Sequence, residues 1–147
     1  MFEQDYLMRM FLQFTAAIRK SILKAAGERD YAGAAEQIEA AVGDATDMDG
    51  SVLLSLAPES LAGILQVSGT DPMVAEYIAQ SLLLESHYLR EAGADQRAGV
   101  REAQALALAG AFGLEIGLEE LTEEEWEEMF SPPDAALPEG GSDKILT

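Results

Sequence analysis

An all-α fold is predicted, a compact array of about six or seven helices with no β-sheet, and three observations predict it. Apolar residues recur every three or four positions, first at Leu7, Phe11, Phe14, Ile18, Ile22 and Ala25. No alternating apolar–polar run of the kind a half-buried strand needs is present, and Ala and Leu dominate over β-branched residues. Helix punctuation recurs along the chain: an Asp-Pro start, a Thr-x-x-Glu box and several glycine stops.

The first helix runs from the opening residues to a stop at Gly27, with Arg9, Gln13, Lys20 and Lys24 on the side away from its apolar face. Asp30 starts a second helix whose buried face is Tyr31, Ala34, Ala35, Ile38, Ala41 and Val42, ending near Gly43. A polar loop from Asp44 to Gly50 follows, then the short apolar stretch Ser51 to Leu56. Pro58 and Glu59 suit the first turn of a helix reaching about Val67, where Ser68-Gly69-Thr70 breaks it. Asp71 followed by Pro72 is a helix start, because the carboxylate accepts orphan amides and Pro lacks the amide that would be orphaned. That helix carries Val74, Tyr77, Ile78, Leu82, Tyr88 and Leu89 to a stop at Gly93, and Asp95 caps the next, which runs to Gly113 or Gly117. Gly99, Ala103, Gly110 and Gly113 are expected to thin this helix so that neighbours approach its backbone. Thr122 and Glu125 form a capping box for a last short helix ending near Phe130. Residues 1–130 are read as one helical domain, and 131–147, with three Pro and two Gly, as a flexible acidic tail.

Composition narrows the function classes. The chain of 147 residues is 48% hydrophobic, enough for one core, and the absence of cysteine removes disulfides and thiolate metal sites. The reading is a soluble, cytoplasmic protein: Glu3 and Asp5 oppose a signal peptide, and the uncharged runs fall short of the roughly 18 residues that cross a bilayer. The net charge of −18 is unevenly placed. Residues 1–30 hold five basic groups against four acids, 31–89 hold nine acids and no Lys or Arg, and 111–147 hold eleven acids against Lys144. Most of this surface repels phosphate, so neither nucleic acid nor a membrane is expected as a partner.

Catalytic and metal motifs are missing. His87 is the only histidine, which excludes a paired Glu-x-x-His di-iron site and a multi-imidazole zinc site. His87 therefore takes a structural or surface role. The loop Ala45 to Gly50 is similar to part of a calcium loop, but Ala45 and Leu56 stand where two carboxylate ligands are needed, so it is read as a turn with local Asp bonding. No phosphate loop, Gly-x-Ser-x-Gly elbow or cysteine nucleophile is present. No cofactor is expected.

Two stretches resemble known families. Asp30 to Val42, with its Asp-Tyr start, small Ala34 and Ala41 and larger Ile38 between them, resembles the second helix of a tetratricopeptide repeat, and Asp95, Ala98, Ala105 and Leu106 echo it. The opening Gln4-Asp5-Tyr6-Leu7-Met8-Arg9 resembles that of an uncharacterised family of small bacterial helical proteins. The resemblances imply a bacterial source and repeat-like antiparallel helix pairs, and they imply no activity. Partner-binding candidates are Tyr6, Arg9 and Met10 on the first helix and Trp126, Met129 and Phe130 on the last. The last three share an apolar helical face with Leu121, whose expected target is the protein's own body near the basic stripe of the first helix, with a partner's groove or another subunit as the alternative. The expected function is a non-enzymatic protein–protein interaction module, with a self-assembling structural protein as one alternative and a small-molecule binder or enzyme as another.

Overall fold

The computed structural model describes residues 2–117 and 122–130, and the described residues form seven helices and no strand. They are α1 (Phe2–Glu28), α2 (Tyr31–Thr46), α3 (Gly50–Leu53), α4 (Pro58–Val67), α5 (Pro72–Glu91), α6 (Asp95–Phe112) and α7 (Glu123–Met129). The expected tail, 131–147, lies outside the described residues.

Helix α5 is the centre of the array, packing against α1, α2 and α6. Having neighbours on several sides, it buries Ser81 to Ser86 almost continuously, including three consecutive leucines. On one flank α1 and α2 pack together; on the other α6 is covered by α4. α3 sits against α2, and α7 folds back onto α1. The core contains Phe11, Phe14, Ile18, Ile22, Ile38, Leu61, Leu65, Ile78, Leu82 and Leu108. Burying each such side chain contributes about 1.5–3 kcal/mol before conformational entropy is charged against it. The hydroxyls of Ser21, Ser81 and Ser86 are buried but satisfied, each donating to the carbonyl three residues earlier.

Helix starts follow the sequence closely. Asp30 accepts from the Gly33 amide at 2.9 Å and Asp71 from the Met73 amide at 2.8 Å. Thr122 and Glu125 form the reciprocal box, at 2.8 and 3.1 Å. Asp95 differs: Ala94 is the cap residue and Asp95 sits inside the first turn, where the positive end of the helix dipole still favours it.

Three expectations at helix ends and packing faces give way. α1 continues through Gly27, where a Cβ would meet nothing, and reverses instead at Arg29, which takes a left-handed φ of 54°. α2 continues past Gly43 to Thr46, because Gly43 is a point of close approach and not a stop. The chain entering α3 crosses there: a Cβ on Gly43 would lie 2.7 Å from the Gly50 amide nitrogen, and one on Gly50 would strike the Glu39 carbonyl. On α6, a Cβ on Gly99 or Gly110 would meet nothing, Ala103 is exposed, and Gly113 is the left-handed end of the helix. The close face there is Ala98, Ala105 and Ala109.

Candidate functional site

Two adjoining depressions of about 370 and 510 Å³ run along α1, sharing Met10 and Ala45. One wall is α1 itself, through Tyr6, Leu7, Met10, Gln13, Phe14 and Ala17, a set at helical spacing. The facing wall is the C-terminal end of α2, through Ala41, Asp44, Ala45, Thr46 and Asp47. The turn between α4 and α5 bounds the Tyr6 end, through Ser68 to Pro72 and Val74. Gly69 builds that turn at φ 76°, which lets the Thr70 amide reach back to the Leu65 carbonyl at 3.1 Å.

The groove's chemistry is apolar along α1 and acidic opposite. Tyr6 is 60% exposed and Met10 half-buried. Asp44 and Asp47 are exposed, and neither pairs with a cation among the described residues. Asp47 holds the left-handed position that ends α2, whose last turn carries no basic residue. The negative end of that helix dipole therefore adds to the two carboxylates. Among the described residues no Lys or Arg lines either depression.

The sequence candidates divide between two places. Tyr6 and Met10 line the groove, whereas Arg9 is exposed and lines neither depression. The candidates on α7 turn inward. Phe130 is fully buried, Trp126 is 6% exposed, and Met129 is half-buried against the core. Trp126 stacks on Phe130 with ring centres 6.3 Å apart, Phe130 tilts against Tyr77 at 6.2 Å, and Tyr77 meets Phe11 edge-on at 5.1 Å. That aromatic chain is what α7 uses to dock, so Trp126 and Phe130 offer no surface to a partner while it is in place. His87 is half-buried with its ring 5.7 Å from that of Tyr88. Asp49, in the loop similar to a calcium loop, caps α3: the Ser51 hydroxyl donates to it at 2.7 Å and the Ser51 amide at 2.9 Å. The Ser51 hydroxyl and the Val52 and Ser51 amides hold its pKa below the usual carboxylate value. Among the described residues no group of His, Asp and Glu is placed to hold a metal ion, and no helix is long and apolar enough to cross a membrane.

A second constellation lies inside the array, and the sequence reading passed over it. Arg101 on α6 is 7% exposed, and its guanidinium ties three elements together. Its Nε donates to Glu85 of α5 at 3.0 Å, its Nη2 to Glu39 of α2 at 2.9 Å, and its Nη1 to the Leu54 carbonyl at 3.0 Å and Gln104 at 3.1 Å. Gln104, fully buried, donates to the carbonyls of Leu54 and Leu56, so the connection from α3 to α4 is held by side chains of α6. Burial, helped by a hydrogen bond to Glu39, pushes the Glu85 pKa up to about 9 against the pull of Arg101, so Glu85 is protonated at neutral pH. Its Oε1 is buried with no donor to accept from, which disfavours the charged form and fits a proton shared between Glu85 and Glu39. Burial alone would raise Glu39 as well. The hydrogen bonds from Glu85 and Arg101 and the charges of Arg101 and Arg97 outweigh it and hold Glu39 low. The constellation is then one carboxylate, one carboxylic acid and one guanidinium. None of its members lines the groove.

A signal for this network was present. Ile78, Leu82, Glu85 and Leu89 fall on one helical face, as do Ala98, Arg101, Ala105 and Leu108. A charged residue inside each apolar stripe on successive helices points to a buried pair. The acidic half of the groove had no such signal, because Asp44 and Asp47 on α2 and Asp71 on the α4–α5 turn border adjoining depressions only in the folded array. No family model, curated protein or solved structure matches the chain.

Proposed function

We propose that the protein is a non-enzymatic interaction module that holds a segment of another protein in the groove along α1. The observation that carries the reading is the groove itself: a strip of α1 from Leu7 to Ala17, apolar but for Gln13 and bordered by exposed Tyr6, that no other described residue fills. Docking an apolar side chain there removes apolar surface from water on both partners, at about 25 cal/mol per Å². The tetratricopeptide-like segment Asp30 to Val42 makes up most of α2, whose C-terminal end beyond it supplies the facing wall, and a repeat-like helix pair fits the same role.

Filling the groove tests this. Ala45, shared by both depressions, changed to Trp occupies the space a partner needs, and exposed Gln13 changed to Arg blocks it without touching the core. Affinity capture from the source organism's lysate with each variant, beside Val100→Trp on the exposed face of α6, is the comparison. The expected result is a partner protein recovered by the wild type and Val100→Trp and lost at least about tenfold by both groove variants, which corresponds to about 1.4 kcal/mol. Equal recovery by all four, or no partner for any, overturns the reading.

A further inference from the structure

The kind of partner can be named more closely, on the footing that the groove is a protein-binding site. We infer that its occupant is a basic amphipathic helix, laying an apolar stripe along α1 and setting Lys or Arg side chains against the C-terminal end of α2. Charge complementarity selects the partner. Asp44 and Asp47 border the groove and the negative end of α2 adds to them; Asp71, at the far rim, is set against the positive end of α5 that it caps, and no cation from the lining residues offsets the other two. An acidic occupant is repelled there. That includes residues 131–147 of this chain, whose three acids stand against one Lys. It also includes a second copy of a protein with a net charge of −18.

The shape of the site selects a helix. The strip from Tyr6 to Ala17 spans about three turns of α1, or roughly 16 Å, which matches a helix of about 12 residues laid alongside. The described residues offer no sheet edge to which an extended peptide could add as a strand, and the helical spacing of the strip along α1 suits helix-in-groove docking. Apolar anchors at positions i, i+3, i+4 and i+7 meet Met10, Phe14 and Ala45, and basic residues on the flank meet Asp44 and Asp47.

Titration with synthetic peptides tests this. The probe is a Leu/Lys amphipathic helix of about 12 residues, and its counterpart has Glu at every Lys. Full-length wild type is compared with Asp44→Asn/Asp47→Asn, where Asn tolerates the left-handed position 47. The control is Glu124→Gln/Glu128→Gln, which removes the same charge from exposed positions on α7. Expected are binding of the Lys peptide only, weakening of about tenfold or more in the Asp44/Asp47 variant, and little change in the control. Equal weakening in both variants, or none in the groove variant, overturns the basic partner. If Ala45→Trp abolishes capture of a natural partner while Asp44→Asn/Asp47→Asn leaves it intact, the groove stands and the basic helix falls. A wild-type dimer that Ala45→Trp turns into a monomer assigns the groove to a second copy. A gain in peptide affinity on Ile145→Ser/Leu146→Ser, which leaves the charge unchanged, assigns it to the tail. Either result overturns the inference.

Discussion

Replacing Arg101 with Met lowers the free energy of unfolding by about 3–5 kcal/mol, as read from urea titration near neutral pH. The methionine fills much of the space but supplies none of the donors that Glu85, Glu39, Leu54 and Gln104 accept. Glu39, 16% exposed, keeps its charge and loses its nearest counter-ion. Arg97 supplies the internal comparison, because it donates to the same Glu39 oxygen at 3.1 Å while its own side chain is 58% exposed. A bond of that kind contributes about 0–1 kcal/mol, so Arg97→Met has a small effect. Two arginines on one carboxylate thus differ several-fold in consequence, and burial is the reason. Equal effects would show that Arg101 does not organise the interior.

Stability falls as pH rises from about 5 to about 9, and Glu85→Gln flattens the fall. Glu85 in the folded protein holds its proton up to about pH 9, whereas in the unfolded chain it gives the proton up near 4.5. Between those values the folded state binds more protons, so raising the pH favours unfolding. Above pH 9 the folded form ionises too and the loss levels off. Glu39 acts in the opposite sense. Its lowered pKa contributes stability that is present above 4.5 and lost as pH falls through its folded value. The two together place the maximum on the mildly acidic side. Glutamine at 85 keeps an oxygen for Arg101 Nε and a donor toward Glu39, without a proton to lose. Glu85→Gln is therefore at least as stable as wild type at pH 8. Unfolding measured across pH in a His87→Gln background separates this slope from the single histidine. A slope unchanged by Glu85→Gln would mean that another group carries it.

Local order was legible where the chemistry is local. Asp30, Asp71 and Thr122 cap helices as their side chains and spacing require, and the apolar face of α1 is the one its periodicity marks. The docking of α7 onto its own chain was readable in part, since Trp126, Met129 and Phe130 share a face. Its place beside Tyr77 and Phe11 was not, because that depends on where α5 lies. Gly43 reads as a stop, but its role is set by Gly50 crossing it, a contact between segments that sequence does not announce. The groove was half visible for the same reason. Tyr6 and Met10 stand out on their own helix, while Asp44, Asp47 and Asp71 come to border it only in three dimensions.

A photoreactive amino acid at Gln13, which is exposed and lines the groove, reports directly on what lies there in the living source cell. The same group at Val100, exposed on α6, serves as the reference. A crosslink from position 13 and not from position 100, joining a distinct protein through a Lys- or Arg-rich helical segment, is the predicted result. A chain that reacts at position 13 with nothing, or only with itself, would contradict the interaction role assigned to the groove.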